Sequence, residues 1–207
     1  MVDALFLLVL LGVAWAVSSE GLFGAALMLI NVTVAGLVAM NFWQPLSSWL
    51  QGLVPRIAIW LEVVSLCVLF TVTLLALRFV TEMLSPLQVR FPKALGHFRW
   101  LFGLWTGWVV VGFLMVAMQT TPLPRSFFGY QPEREHFLGM GFVPAPERVW
   151  LGFFQRSTEQ IFDREGSADD PTQHVFDPEG LFLPSYASWR DMAMRPAVPT
   201  TIAPPPQ

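Results

Sequence analysis

Cysteine is almost missing from this chain. Cys67 is the only one in 207 residues, so no internal disulfide can staple the fold, and its place inside an apolar run suits a small helix-interior side chain. Charge is scarce as well, at 13 % of residues against 54 % hydrophobic. Before residue 119 the chain carries Arg56, Arg78, Arg90, Lys93 and Arg99 against Asp3, Glu20, Glu62 and Glu82, which is close to neutral. No basic face for DNA or RNA can be drawn from that set. The three histidines, His97, His136 and His174, stand far apart, and none belongs to an HExxH or His/Cys pair. A phosphate loop, a GxGxxG and a GxSxG are all missing. The alternating oxygens of Asp163, Glu165, Ser167 and Asp169 imitate a calcium loop, but glycine is missing at the sixth place and His174 stands at the twelfth. A solvated acidic loop is the expectation there, with no catalytic residue, cofactor or metal site anywhere in the chain.

What is present is oil. Apolar runs cover residues 4–17, 22–42, 57–77 and 100–118. The last three are each about 20 residues, the length needed to cross ~30 Å of hydrocarbon as a helix. The fold class this implies is an all-α membrane protein: four transmembrane helices in a small bundle, over about 4–18, 22–42, 57–78 and 100–118, within a domain of residues 1–119. The first run has a signal-peptide-like core, but its flank Met1-Val2-Asp3 is acidic where a signal peptide is basic, so a retained helix is expected. Ser18-Ser19-Glu20-Gly21 then reads as a tight turn between antiparallel helices, with Ser18 or Ser19 capping the second. One long bent helix through Glu20 is the alternative.

Residues 41–55 hold Trp43, Pro45, Trp49 and Pro55 without a charge, and read as an interfacial stretch with its tryptophans at headgroup depth. Residues 78–99 hold Arg78, Arg90, Lys93 and Arg99, and Pro86 and Pro92 forbid one continuous helix. As the most basic connection this loop belongs in the cytoplasm. Both termini and Arg56 then lie outside, while Glu20 faces the cytoplasm.

After residue 119 the composition turns acidic and proline-rich. Residues 120–165 are expected to be an ordered juxtamembrane tail. Within it an amphipathic helix from Pro146 carries Val149, Trp150, Phe153, Phe154, Ile161 and Phe162 on one stripe, with arginine and glutamate opposite. It could pack on the bundle, lie in the headgroups or dock a partner. Residues 166–207 read as a mostly flexible acidic and proline-rich tail.

Within the apolar runs Glu62 and Asn31 form a candidate intramembrane polar site. Glu62 is either an interfacial group within reach of Arg56 or a proton or ion site, and Asn31 suits an interhelical hydrogen bond. Small residues recur at helix-packing spacing: Gly103 and Gly107 with Gly112 beyond, Gly21 with Ala25, and Gly12 with Ala16. They fit packing inside one chain, or assembly with a second copy or another membrane protein.

Asp3 before the first run, the turn at Ser18–Ala26 and the stretch from Gly96 to Gly107 together resemble the colicin V production protein (CvpA) family. The resemblance covers roughly residues 1–118. It departs at the first turn, where the family often has Arg-Gly followed by glutamate. The tail, with Pro122–Gly129, Gln131–Arg134 and Trp150–Gly152, resembles planctomycete members. The resemblance implies a four-helix protein of the bacterial inner membrane, associated with export or envelope maintenance, with no established reaction. The function expected is therefore non-enzymatic, working by assembly in the bilayer. The alternative is a proton- or ion-coupled transport component using Glu62.

Overall fold

The computed structural model describes residues 2–54, 58–84, 96–121, 136–141 and 143–160, together with 182, 185 and 188. Among these it contains five α-helices: α1 (Val2–Ser19), α2 (Gly21–Leu53), α3 (Ala58–Leu84), α4 (Phe98–Gln119) and α5 (Pro146–Gln160). A short 3-10 turn, Phe137–Gly139, precedes α5, and the described residues hold no strand beyond an isolated bridge from His136 to Pro144. The first four helices supply spans long and apolar enough to cross a membrane: Val2–Ser19, Gly21–Leu53, Trp60–Leu84 and Phe98–Gln119. The protein is an all-α, multi-pass membrane protein.

The α1–α2 connection is a single residue, Glu20, followed by Gly21 at φ +87°. That left-handed backbone suits glycine, because a Cβ would crowd the next carbonyl. Neither serine caps α2. Ser18 Oγ donates to the Trp15 carbonyl (2.9 Å) and Ser19 Oγ to the Ala16 carbonyl (2.6 Å), so both tie back into α1. Two separate helices replace the bent-helix alternative.

α1 packs chiefly on α4 rather than on α2, and it runs antiparallel. Gly103 rests on the Ala14 carbonyl and Gly107 on the Leu10 carbonyl. The same stripe continues into Val111 and Met115, which share a buried cluster with Phe6 and Val2. Residues four apart form one ridge on each helix, and glycine on one lets the two backbones close. α2 lies between α3 and α4, where Ala39, Met40 and Trp43 meet Leu66, Phe113, Val116 and Ala117 in the main core. Phe70 of α3 stacks on Phe113 at 4.2 Å. α3 otherwise touches little besides α2, and only 11 % of its membrane window is buried.

Two expected boundaries move. α2 does not end at residue 42; it runs on through Pro45 to Leu53. Pro45 removes only the hydrogen bond to the Asn41 carbonyl, and the buried face continues past it through Trp43 and Ser47. Trp43 is therefore a core side chain at 3 % exposure, while Trp49 stays exposed. α3 likewise extends to Leu84 and takes in Arg78, which sits on the helix and not in a loop. Arg99 is the second residue of α4 and exposed. Arg56, Arg90 and Lys93, with Pro86 and Pro92, lie outside the described residues.

Candidate functional site: an apolar groove walled by a re-entrant helix

The chain leaves α4 at Gln119, is described as far as Thr121 and again from His136, where Phe137 is level with the interior of the bundle. Phe137 is 2 % exposed, packs with Phe6, Leu10, Val111 and Met115, and meets Trp108 edge-on at 5.9 Å. A closed turn holds it there. Phe137 N–H donates to the Val143 carbonyl (2.9 Å), Val143 N–H to the Met140 carbonyl and Met140 N–H to the Phe137 carbonyl (3.0 Å each). Gly139 supplies the left-handed corner at φ +70°.

α5 starts from that depth. Pro146 occupies its first position, where a missing N–H goes unnoticed. The buried residues of α5 are Pro146, Glu147, Trp150, Phe154, Ser157 and Thr158, which recur at spacings of three and four along one side of the helix. Trp150 fills a slot between two glycines. A Cβ on Gly36 would lie 2.5 Å from the indole Cζ2, and one on Gly112 would lie 2.8 Å from the Pro146 carbonyl oxygen. The indole also meets Phe113 edge-on, with ring centroids 6.4 Å apart. Phe154 reaches the cluster of Val116 and Ala117, so α5 climbs alongside α4 in the same direction. Gly112 stands seven residues before the end of α4, so the start of α5 lies ~10 Å inside that end at 1.5 Å per residue.

Between α2, α4 and α5 lies a half-open groove of about 530 Å³. Trp105, Trp108, Trp150 and Phe153 supply most of its aromatic wall, with Leu29 and Thr33 on the α2 side. No ionisable side chain lines it. The volume falls within the range of pockets that enclose small ligands, and its chemistry suits an apolar occupant.

The remaining candidates scatter. Asn31, 4 % exposed, donates through Nδ2 to Thr81 Oγ1 at 3.1 Å and so links α2 to α3; the Thr81 hydroxyl in turn donates to the Arg78 carbonyl (2.9 Å). Glu62 is half-buried one turn before Leu66 and well separated in sequence from Asn31 and Thr81. Arg78 donates to Glu20 (2.9 Å) and to Glu82 (2.8 Å), joining the α1–α2 turn to α3 at the end expected to face the cytoplasm. Glu20 lies over Gly24, where a Cβ would come within 2.9 Å of its own Cβ.

Of the glycines chosen by spacing, Gly103, Gly107 and Gly112 are close-approach positions, but Gly12 and Gly21 are not. A Cβ on either of those two would meet nothing within 4 Å. Gly12 faces outward and Gly21 serves the turn. On α5, Trp150 and Phe154 are buried, whereas Val149 and Phe153 are exposed, and Ile161 with Phe162 lies outside the described residues. The acidic run from Asp163 lies outside them too.

Three residues that matter escaped the sequence reading: Gly36, Phe137 and Glu147. Glu147 is one of the glutamates expected opposite the apolar stripe of α5, and it is fully buried. Its neighbour Pro146, which marks the helix start, also lies against the bundle, and only the tertiary contact with Gly112 reveals that.

Across this architecture the family model of the colicin V production protein matches residues 2–134. The chain belongs to the colicin V production protein family. Neither a curated protein nor a solved structure matches it. The family match takes in all four spans of α1–α4 and stops just short of His136. In this colicin V production family protein, Pro144 and α5, which complete the groove, therefore lie beyond the matched stretch, as does Phe137.

Proposed function

We propose that this chain is a non-enzymatic component of the bacterial inner membrane that assembles with itself or another membrane protein in export or envelope maintenance. A membrane-spanning segment of the partner rests in the groove between α2, α4 and α5. The observation that carries the reading is the groove itself: about 530 Å³, walled by indoles and a phenyl ring, without an ionisable side chain. Such a surface binds by packing, and among the described residues no group of three or more His, Cys, Asp or Glu could hold a metal. Family membership supports the association with colicin V production. The basic residues between α3 and α4 support a cytoplasmic loop there, with both termini on the outer side.

A photoreactive amino acid at Leu104, in the groove wall, should give a discrete protein adduct in native membranes. The same group at Leu75, on the outward face of α3, should give lipid adducts. Lipid adducts alone from both positions would sink the assembly reading.

A further inference from the structure

The groove's wall on α5 does not stay apolar. Pro146, Val149 and Phe153 line it at spacings of three and four, and the next residue on that face, three further on, is Arg156. Val149 and Phe153 are 42 % and 43 % exposed, and Arg156 is exposed as well. Arg78 is held between two carboxylates, whereas Arg156 makes no ion pair among the described residues. Its height follows from the helix contacts. Pro146 presses on Gly112, seven residues before the end of α4, and Arg156 stands ten residues after Pro146 on a helix climbing the same way. At 1.5 Å per residue, Arg156 lies ~5 Å beyond the end of α4, at the rim of the span. The apolar groove thus ends, at that mouth, in a cation.

We propose, resting on the assembly reading, that the membrane-spanning segment seated in the groove carries an acidic side chain at its end nearest Arg156, and that this ion pair selects the partner. A helix lying along Val149 and Phe153 covers the next position on the same stripe too, and so takes water from the guanidinium. A charge that loses water is costly to hold unless an opposite charge accepts its hydrogen bonds. A carboxylate meets a guanidinium through two parallel N–H···O bonds and fills that need. A span with an apolar or basic residue at that level is rejected for the same reason. The groove below offers packing without discrimination among apolar helices, since no ionisable side chain lines it. Arg156 is then the position that tells one span from another, and pairing at one end fixes how deep the segment sits.

The full-length protein in native membranes, with the photoreactive amino acid at Leu104 as reporter, tests the pairing. Arg156→Glu should lower the yield of the protein adduct about tenfold, and Arg156→Lys should stay within about threefold of wild type. Because Arg156 is exposed, protease protection of α5 should match wild type in both variants. Mass spectrometry of the wild-type adduct should find an aspartate or glutamate at the matching end of the captured span. Changing that residue to arginine should restore the adduct in Arg156→Glu. A protein adduct indifferent to Arg156→Glu, or a captured span without a carboxylate at that end, overturns the pairing and leaves assembly standing. Phospholipid adducts at Leu104 that fade in Arg156→Glu overturn it in favour of a lipid headgroup. A wild-type protein that gives no protein adduct at all overturns both the pairing and the assembly reading.

Discussion

A single methyl group separates two kinds of glycine in this bundle. On Gly107 it would stand 2.6 Å from the Leu10 carbonyl oxygen, and on Gly103 2.6 Å from that of Ala14. Both obstacles are backbone, so neither can swing aside, and α1 must move off α4. Gly107→Ala should therefore destabilise the protein by about 1–3 kcal/mol, the usual range for overpacking. Gly12→Ala, which meets nothing within 4 Å, should stay within about 0.5 kcal/mol of wild type. Thermal unfolding in detergent distinguishes the two. Gly21 is a third case, open in space but held at φ +87°; Gly21→Ala should cost about 1–2 kcal/mol for its left-handed backbone alone. The ion pairs beside that turn matter less. Arg78 and Glu20 are 44 % and 35 % exposed, so solvent screening leaves Arg78→Ala at most ~1 kcal/mol.

Among the elements, α5 is the one whose place depends on a few contacts. Its seat is the slot between Gly36 and Gly112, filled by Trp150, with Phe154 one turn on. Trp150→Ala removes the largest of these side chains and should cost about 3–5 kcal/mol. Gly36→Leu should unseat the same helix from the other side, because a Cβ there already collides with the indole. In both variants protease should cut within α5 while α1–α4 stay protected; protection unchanged from wild type would mean that Trp150 is not the anchor. The sequence made the helices themselves legible, since runs of about 20 apolar residues have one stable form in hydrocarbon. Their ends were less legible. Pro45 and Trp43 carry the marks of an interface, and only packing against Leu66 and Phe113 keeps α2 going past them. The glycine spacing found Gly103 and Gly107 but could not tell them from Gly12, because spacing fixes a face and says nothing of what that face meets. The slot for α5 joins residues 36, 112 and 150, and no local pattern links positions so far apart.

At the scale of the whole molecule, two layers differ in what they need from each other. α1–α4 contain the four spans and all of the family-matched helices, so they carry insertion into the bilayer. The segment from His136 to Gln160 adds large buried side chains, Phe137 between α1 and α4, and Trp150 with Phe154 against α2 and α4. It also closes one side of the groove through Pro144, Pro146, Val149, Trp150 and Phe153. A chain ending at Thr121 should therefore still resist alkaline extraction from membranes, because its apolar spans are intact. It should nevertheless unfold at lower temperature, having lost three large aromatic contacts worth ~3 kcal/mol or more each. The protein adduct from a photoreactive group at Leu104 should disappear with it, since the groove is then an open face shared with lipid. An adduct that persisted in the shortened chain would place the partner on α2 and α4 alone. The re-entrant helix would then be a cover over the binding face and not one of its walls.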